Sequence, residues 1–121
     1  PTPVEIVLRR LPGNRYSPPP TEPSGLVKPD WIAGIFMLME SDTYRKIKGF
    51  NEKYRLYFED VDFCARAQLA DLKLVVDTNV HVRHDAHRAS RKKFIYLLWH
   101  IQSAIQFFTS SVYKRVIKES K

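Results

Sequence analysis

Residues 56–66, LYFEDVDFCAR, hold three carboxylates within four positions, Glu59, Asp60 and Asp62, with aromatic residues on both sides. Apolar residues recur at helical spacing behind Glu59, which predicts a helix over residues 59–70 with the acids in its first turn. Crowded acids repel one another and bulky rings lower the local dielectric, so we expect at least one shifted pKa among these carboxyl groups. Packing does not require this arrangement, and acid–base chemistry is a natural reason for it.

Two simpler explanations of the acids stay open. Acidic residues stabilise the positive end of a helix dipole whatever their function. Asp62 is one turn before Arg66, so we expect a structural surface ion pair between them.

Asp60-Val61-Asp62 has the form of an Asp-x-Asp metal motif, but side chains two positions apart on a helix point about 200° apart. We therefore do not expect Asp60 and Asp62 to chelate one ion.

The chain has 121 residues, enough for one small domain or a piece of a larger protein. It begins at Pro1 without a methionine, which favours the second alternative. Its single cysteine, Cys64, rules out an intramolecular disulfide, is compatible with a reducing cytoplasm and is expected to be a small core residue. No apolar run approaches the roughly 20 residues of a membrane span, and no signal peptide is recognised.

The net charge of +7 is concentrated in the last third of the chain. Residues 1–82 carry eleven basic and eleven acidic groups, whereas residues 83–121 carry nine basic groups against two acidic ones. A local basic segment implies a local anionic partner: a diphosphate, an anionic lipid surface or nucleic acid. The alternative is a solvated basic helix that keeps the chain soluble.

Prolines divide the chain into an irregular front and a regular remainder. All eight lie at or before Pro29, and no glycine or proline follows Gly49. Residues 4–8 predict a short strand, and residues 15–23, with three consecutive prolines, predict an extended loop. We expect three parts: a Pro-rich lead-in segment over residues 1–30, a middle part over residues 31–89 and a basic amphipathic helix over residues 90–121.

The regular part predicts an α/β chain with too few strands for a self-contained doubly wound sheet. The predicted elements are a buried apolar stretch over residues 31–39, long for a strand, a short helix over residues 43–48, strands over residues 72–76 and 79–83, and a long final helix capped by Ser90. One apolar stripe of the final helix is expected to face the core, namely Phe94, Leu97, Leu98, Ile101, Ala104, Ile105 and Phe108.

Four blocks together resemble the second half of a family 2 glycosyltransferase of the rhamnosyltransferase type. They are WIAGIFML at residues 31–38, GFNE at residues 49–52, the acidic run, and HDAHRAS at residues 84–90. The likeness implies an α/β fold that is a partial GT-A (nucleotide-diphospho-sugar transferase) fold, the acceptor half only, with a long C-terminal helix. Residues 31–89 would be its acceptor and catalytic-base half. Residues 9–12 resemble the segment just after the family's Asp-x-Asp motif, so the donor-binding half is expected upstream.

The resemblance places Glu59 and Asp60 on the family's acidic pair, in which the aspartate is the catalytic base. An inverting transferase must remove a proton from the acceptor hydroxyl as its oxygen attacks the anomeric carbon. Asp60 is the predicted base, and Glu59 is predicted to orient Asp60 or the acceptor.

The resemblance also predicts acceptor-binding residues. Trp31 and Gly34 match the segment that lines the acceptor pocket, where a ring stacks on sugar and a glycine permits close backbone approach. A core tryptophan is an equally good explanation of Trp31. Asn51 stands where the family usually has aspartate, so it either forms a turn or alters acceptor specificity.

His84 matches a position where several family members place a histidine on the metal, so a divalent ion, Mg or Mn, is expected in the full-length enzyme. A locally hydrogen-bonded histidine is the alternative. Arg88, Ser90 and Arg91 follow near a predicted helix start and are expected to bind the donor diphosphate. His100 is expected to be structural, although His100 with Ser103 resembles a pattern of the rhamnosyltransferase-like members.

The resemblance implies a cytoplasmic enzyme, at the inner face of the bacterial membrane, that moves rhamnose from a nucleotide-diphospho-sugar to a polysaccharide or lipid-linked acceptor. This piece alone is expected to be inactive. Further expected partners are the missing N-terminal half, a second copy through oligomerisation or domain swapping, and a peripheral membrane contact; nucleic acid is not expected. The alternatives are a basic nucleic-acid-binding module, which the front 82 residues disfavour by being neutral, and a non-catalytic interaction module.

Overall fold

The computed structural model describes residues 23–84 and 94–119. In chain order the elements are β1 (Leu26–Val27), α1 (Ser41–Lys46), α2 (Glu59–Gln68), β2 (Val76–Asp77), α3 (Phe94–Thr109) and α4 (Ser111–Glu119). β1 and β2 pair antiparallel, with Leu26 opposite Asp77 and Val27 opposite Val76. The predicted strand over residues 4–8 and nearly all of the predicted loop over residues 15–23 lie outside the described residues.

The helix predicted from the acidic run is confirmed as α2, and the core is built on its two sides. On one side a cluster formed by Tyr54, Phe58, Val61, Ala65 and Phe107 includes contacts from α3 and α4. On the other side Ile47, Phe63, Cys64 and Ala67 form a second cluster with the end of α1. The start of α2 therefore lies between two packed layers.

The apolar residues 31–39 are not a strand, and the expectation that they are buried holds only in part. Trp31, Ile32, Met37 and Met39 are half-buried and pack against the core. Leu38 is 89% exposed, and Ile35 and Phe36 are also exposed. A strand needs a neighbour for its backbone hydrogen bonds, and none of the described strands pairs with this segment. Of the strands predicted over residues 72–76 and 79–83, only the two-residue β2 forms.

An open apolar groove lies between the apolar residues 31–39 and the segment in which the next strand was predicted. Its volume is about 430 Å³. Its floor includes Ile47 and Cys64, and its sides are formed by residues 36–39 and 72–76. Phe63 and Cys64 of α2 line it, but the three acids Glu59, Asp60 and Asp62 do not, so the groove is separate from the carboxylates.

The final helix differs from the prediction in two ways. It is broken into α3 and α4 at Ser110, whose Oγ accepts a hydrogen bond from the Tyr113 amide at 3.1 Å and caps α4. The buried residues of α3 are Ser103 and Phe107. Of the predicted core stripe, Ala104 and Phe108 pack against the core, whereas the other members are exposed: Phe94, Leu97, Leu98, Ile101 and Ile105. Because α3 contains no charged residue, apolar spacing could not decide which face packs. No helix of the described part is long and apolar enough to cross a membrane.

Candidate active site at the start of helix α2

Residues 30–34 lie along one face of α2 and form hydrogen bonds with three of its side chains. These side chains are spaced four residues, about one helical turn, apart. The hydrogen bonds run from the Gly34 amide to Asp60 Oδ2 (2.9 Å), from the Ile32 amide to Cys64 Sγ (3.4 Å) and from Gln68 Nε2 to the Asp30 carbonyl (3.2 Å). The structure thus brings together the predicted acceptor segment and the predicted base. Spacing in the sequence gave no sign of this contact, since 26 residues separate Gly34 from Asp60.

Both carboxylate oxygens of Asp60 accept backbone hydrogen bonds. Oδ2 binds the Gly34 amide, and Oδ1 binds the Val61 amide at 2.8 Å. Each carboxylate oxygen can accept two hydrogen bonds, so each keeps one acceptor position for a further donor such as a hydroxyl group. Asp60 is half-buried, which leaves it open to a ligand.

Glu59 has an unusual environment next to Asp60. Its Oε2 atom is buried and has no hydrogen-bond partner among the described residues. Burial, with a smaller contribution from the charge of Asp60, raises the pKa of Glu59 above its ordinary value. The expectation that one acid of the run has a shifted pKa is therefore confirmed.

The two residues before the acids have an uncommon backbone conformation. Tyr57 has φ 68° and Phe58 has φ 66°, both in the left-handed region. This conformation costs a bulky residue about 1–2 kcal/mol. The amide of Asp62 donates to the Phe58 carbonyl at 2.9 Å, so α2 begins directly from this turn. The direction in which Glu59 and Asp60 project is consequently set by the left-handed turn.

Helix α3 holds that turn in place. Ser103, which is buried, donates from Oγ to the Leu56 carbonyl at 2.9 Å. One turn earlier, the His100 ring lies against Tyr57 at 4.9 Å and against Phe58 at 5.3 Å between centroids. The sequence carried a weak signal of this contact, the resemblance seen in His100 and Ser103, but no glycine marked the left-handed turn.

Asp62 has a different role from its two neighbours. Arg66 Nε lies 2.8 Å from Asp62 Oδ2, so the predicted pair exists, but Asp62 is 1% exposed and the prediction of a surface pair is wrong. Arg66 also donates to the Ile47 carbonyl and, at 2.7 Å, to the Gly49 carbonyl. Tyr54 donates to Asp62 Oδ1 at 3.4 Å, and burial together with the Asp62 charge raises the Tyr54 pKa. The arginine-bound carboxylate of the run is thus Asp62, and its partner Arg66 joins α2 to the end of α1.

The other predicted acceptor residues lie in structural contacts. Asn51 Oδ1 accepts from the Lys53 amide at 3.2 Å, and its carbonyl accepts from the Tyr54 amide at 3.1 Å, as in a turn. Trp31 is half-buried and packs against both core clusters. A turn-forming asparagine and a core tryptophan account for these contacts, and the acceptor roles of both residues stay predictions.

The donor-side residues are not assembled in the described part. His84 is exposed, and residues 23–84 and 94–119 contain no group of three His, Cys, Asp or Glu side chains that could hold a metal ion. The described residues therefore do not fit a divalent ion by themselves. Arg88, Ser90 and Arg91, predicted to bind the diphosphate, lie outside the described residues.

Rhamnosyltransferases are found when the sequence is compared with known proteins. The chain is 35% identical over 79 residues to Rhamnosyltransferase WbbL of Escherichia coli (strain K12), a match that covers 64% of this chain and 30% of that protein. It is 31% identical over 78 residues to the N-acetylglucosaminyl-diphospho-decaprenol L-rhamnosyltransferase of Mycobacterium tuberculosis (strain CDC 1551 / Oshkosh), covering 64% of this chain and 25% of that protein.

These matches confirm the resemblance to rhamnosyltransferases that was seen in the sequence blocks. The chain spans less than a third of the length of the curated relatives it matches. No protein-family model and no solved structure matches the chain.

Proposed function

We propose, from the similarity to rhamnosyltransferases, that this chain is the acceptor side of an inverting glycosyltransferase. The enzyme transfers a sugar, rhamnose, from a nucleotide-diphospho-sugar to a polysaccharide or lipid-linked acceptor. The observation that carries the proposal is the 2.9 Å hydrogen bond between the Gly34 amide and Asp60 Oδ2. It joins the segment that resembles an acceptor pocket to the carboxylate that resembles the base.

Asp60 is the proposed general base. The acceptor hydroxyl donates to a free position on the Asp60 carboxylate and transfers its proton there as the hydroxyl oxygen bonds to the anomeric carbon. The bond from that carbon to the donor diphosphate breaks, and the diphosphate leaves with the electron pair. The backbone amides of Gly34 and Val61 fix the two carboxylate oxygens during this step.

Glu59 is the proposed positioning group beside the base. It directly follows the left-handed turn and precedes Asp60, its Oε2 atom is buried without a partner among the described residues, and burial raises its pKa. An acceptor hydroxyl or a group of the longer enzyme could supply the missing hydrogen bond. In this proposal Glu59 orients either the base or the acceptor hydroxyl.

A partial GT-A fold is the architecture that we propose for the chain. The apolar residues 31–39 and the groove of about 430 Å³ are expected to be covered by the remaining part of a longer enzyme, which also binds the donor, for example dTDP-rhamnose. A divalent ion, Mg or Mn, supplies charge stabilisation of the leaving diphosphate when bound. His84 is the residue of this chain proposed to reach it, with the other ligands from outside the described residues.

The test is a transfer assay with the longer enzyme and with this chain alone. Labelled dTDP-rhamnose and an N-acetylglucosaminyl-diphospho-polyprenol acceptor are supplied with Mg²⁺ or Mn²⁺. We expect labelled lipid from the longer enzyme and none from the 121-residue chain. Failure of the longer enzyme to transfer sugar from any of several nucleotide sugars would refute the proposal. Salt-dependent binding of generic DNA or RNA in its place would support the nucleic-acid alternative.

A further inference from the structure

Arg55 lies in the loop before the acids and rests on an aromatic ring of α3. Its Cζ atom is 4.6 Å from the centroid of the Trp99 ring, a cation–π contact. Tyr96, about one turn earlier in α3, packs edge-on against Trp99 with 5.3 Å between ring centroids. Trp99 is half-buried, whereas Arg55 is exposed. The contact with the ring therefore limits the positions that this surface cation can take.

The guanidinium of Arg55 has no carboxylate partner in the described part of the chain. Within residues 23–84 and 94–119 it forms no ion pair and no hydrogen bond. Arg66, by contrast, is held by Asp62 and by two backbone carbonyls. A guanidinium presents its N–H donors in a planar fork that matches the oxygen atoms of phosphates and carboxylates. The donors of Arg55 are thus available to an anionic ligand.

The loop that carries Arg55 is docked onto α3 and leads directly to the acids. Consecutive loop residues contact α3 in three pairs: Arg55 with Trp99, Leu56 with Ser103 and Tyr57 with His100. Asp60 is five positions after Arg55, so their Cα atoms lie within about 18 Å of each other. A sugar with one hydroxyl at the Asp60 carboxylate can therefore reach the guanidinium of Arg55 with a phosphate group on another carbon.

We propose that Arg55, held by Trp99, binds the diphosphate of a lipid-linked acceptor, a sugar joined to a lipid through two phosphates. The proposal rests on the proposed function, because it assumes that the acceptor hydroxyl lies at Asp60. In an inverting transfer the donor diphosphate leaves on the side of the anomeric carbon opposite the attacking oxygen. A cation close to the base is therefore expected to meet the acceptor's diphosphate and not the donor's. Arg55 attracts this anionic group, which the carboxylates of the acidic run repel.

Binding of acceptors to the longer enzyme in the absence of donor tests the proposal, because no sugar transfer is needed. Isothermal titration calorimetry measures Kd for two short-chain acceptors: N-acetylglucosamine joined to citronellol through a diphosphate, and the same sugar joined to citronellol directly. The test variants are Arg55→Gln, which removes the charge, and Trp99→Leu, which removes the ring beneath it. The matched control is Lys53→Gln, an exposed cation two positions earlier in the same loop. Circular dichroism checks that each variant keeps its helices.

We expect Arg55→Gln to raise Kd for the diphosphate acceptor about tenfold or more and to leave Kd for the neutral acceptor within about twofold. Trp99→Leu should raise the first Kd about threefold, since the ring only holds the cation, and Lys53→Gln should change neither. Absence of wild-type binding to the diphosphate acceptor, or an unchanged Kd in Arg55→Gln, would overturn the proposal. An equal rise for both acceptors would also overturn it, because Arg55 would then contact the sugar. So would a tenfold rise in Kd for dTDP-rhamnose alone, which would assign Arg55 to the donor.

Failure of this proposal can be distinguished from failure of the proposed function. Acceptor binding that depends on Arg55, in an enzyme that transfers no sugar, would support the diphosphate site and refute the transferase. Sugar transfer by an Arg55→Gln enzyme with an unchanged Kd for the diphosphate acceptor would refute the site alone. Asp60→Asn should leave this Kd within about twofold, because the base and Arg55 contact different parts of the acceptor.

Discussion

The amide of Gly34 donates a hydrogen bond to Asp60 Oδ2 at 2.9 Å. A Cβ atom added to Gly34 would lie 3.5 Å from the Asp60 Cβ and 3.8 Å from Oδ2, which is ordinary van der Waals contact. There is therefore room for one methyl group beside the base.

A small and a larger substitution of Gly34 are expected to lower kcat/KM for sugar transfer to different extents. Gly34→Ala should keep kcat/KM of the longer enzyme within about threefold, since its methyl group fits. Gly34→Val should displace Asp60 and lower kcat/KM on the order of 10²-fold, the usual effect of a misplacement near 1 Å. Equal kcat/KM for the two variants would show that the Gly34 contact does not position the base.

Loss of the Ser103 hydroxyl should weaken both the fold and the site. Ser103→Ala leaves the part-buried Leu56 carbonyl without its donor, and we expect the free energy of unfolding to fall by about 1 kcal/mol. Because the left-handed turn relaxes, kcat of the longer enzyme should also fall at temperatures where the variant stays folded. Ser111→Ala, at an exposed position of α4, is the matched control and should change neither quantity. A Ser103→Ala variant that keeps the wild-type kcat would show that Ser103 contributes to stability and not to catalysis.

The buried carboxylate Asp62 is expected to contribute more to the free energy of unfolding than the exposed carboxylate Asp42. Asp62→Ala leaves Arg66 without its charge partner in a mostly buried position, and removing one member of such a pair costs about 3–5 kcal/mol. Asp42→Ala breaks the exposed pair with Arg45 and should cost at most about 1 kcal/mol. Urea unfolding of the two variants measures both values, and similar losses would contradict the burial of Asp62.

Glu59 should make stability depend on pH in a definite direction. Its pKa is raised in the folded state, so between the unfolded and folded pKa values the folded chain holds more protons, and the free energy of unfolding decreases as pH rises. Glu59→Gln removes this dependence. The free energy of unfolding of Glu59→Gln minus that of wild type should therefore increase as pH rises from acidic values. It should become constant above the pKa that Glu59 has in the folded wild-type chain.

Glu52→Gln, at an exposed position of the preceding loop, controls for the loss of one carboxylate. Urea unfolding at a series of pH values gives the comparison. A Glu59→Gln variant whose stability relative to wild type does not change with pH would contradict the raised pKa.

Local patterns in the sequence predicted some elements and not others. α2 was predicted because Val61, Cys64 and Ala65 recur at helical spacing and pack where that spacing places them. The packed face of α3 was predicted correctly only at Ala104 and Phe108, since a helix without charged residues gives little indication of which side faces the core. Residues 31–39 are apolar enough for a strand, but strand formation depends on a partner that their own sequence does not describe.

The candidate site was predicted in part by resemblance and in part by chemistry. Resemblance singled out Gly34 and Asp60 separately, and only the fold puts them in contact. The shifted pKa of Glu59 followed from crowded acids and aromatic neighbours, which act over short distances in the sequence. The left-handed conformation of Tyr57 and Phe58 had no sequence signal, because bulky residues adopt it only when other elements, here α3, hold them.

The most direct test of the account is the kcat/KM of Asp60→Asn in the longer enzyme, with Asp42→Asn as the matched control at an exposed position. Asparagine keeps the size of the side chain and an oxygen for the Gly34 amide but cannot take the acceptor's proton. We predict a loss of about 10²–10⁴-fold for Asp60→Asn, the usual effect of removing a general base, and no loss for the control. Transfer that stays within about tenfold of wild type would contradict the assignment of Asp60 as the base.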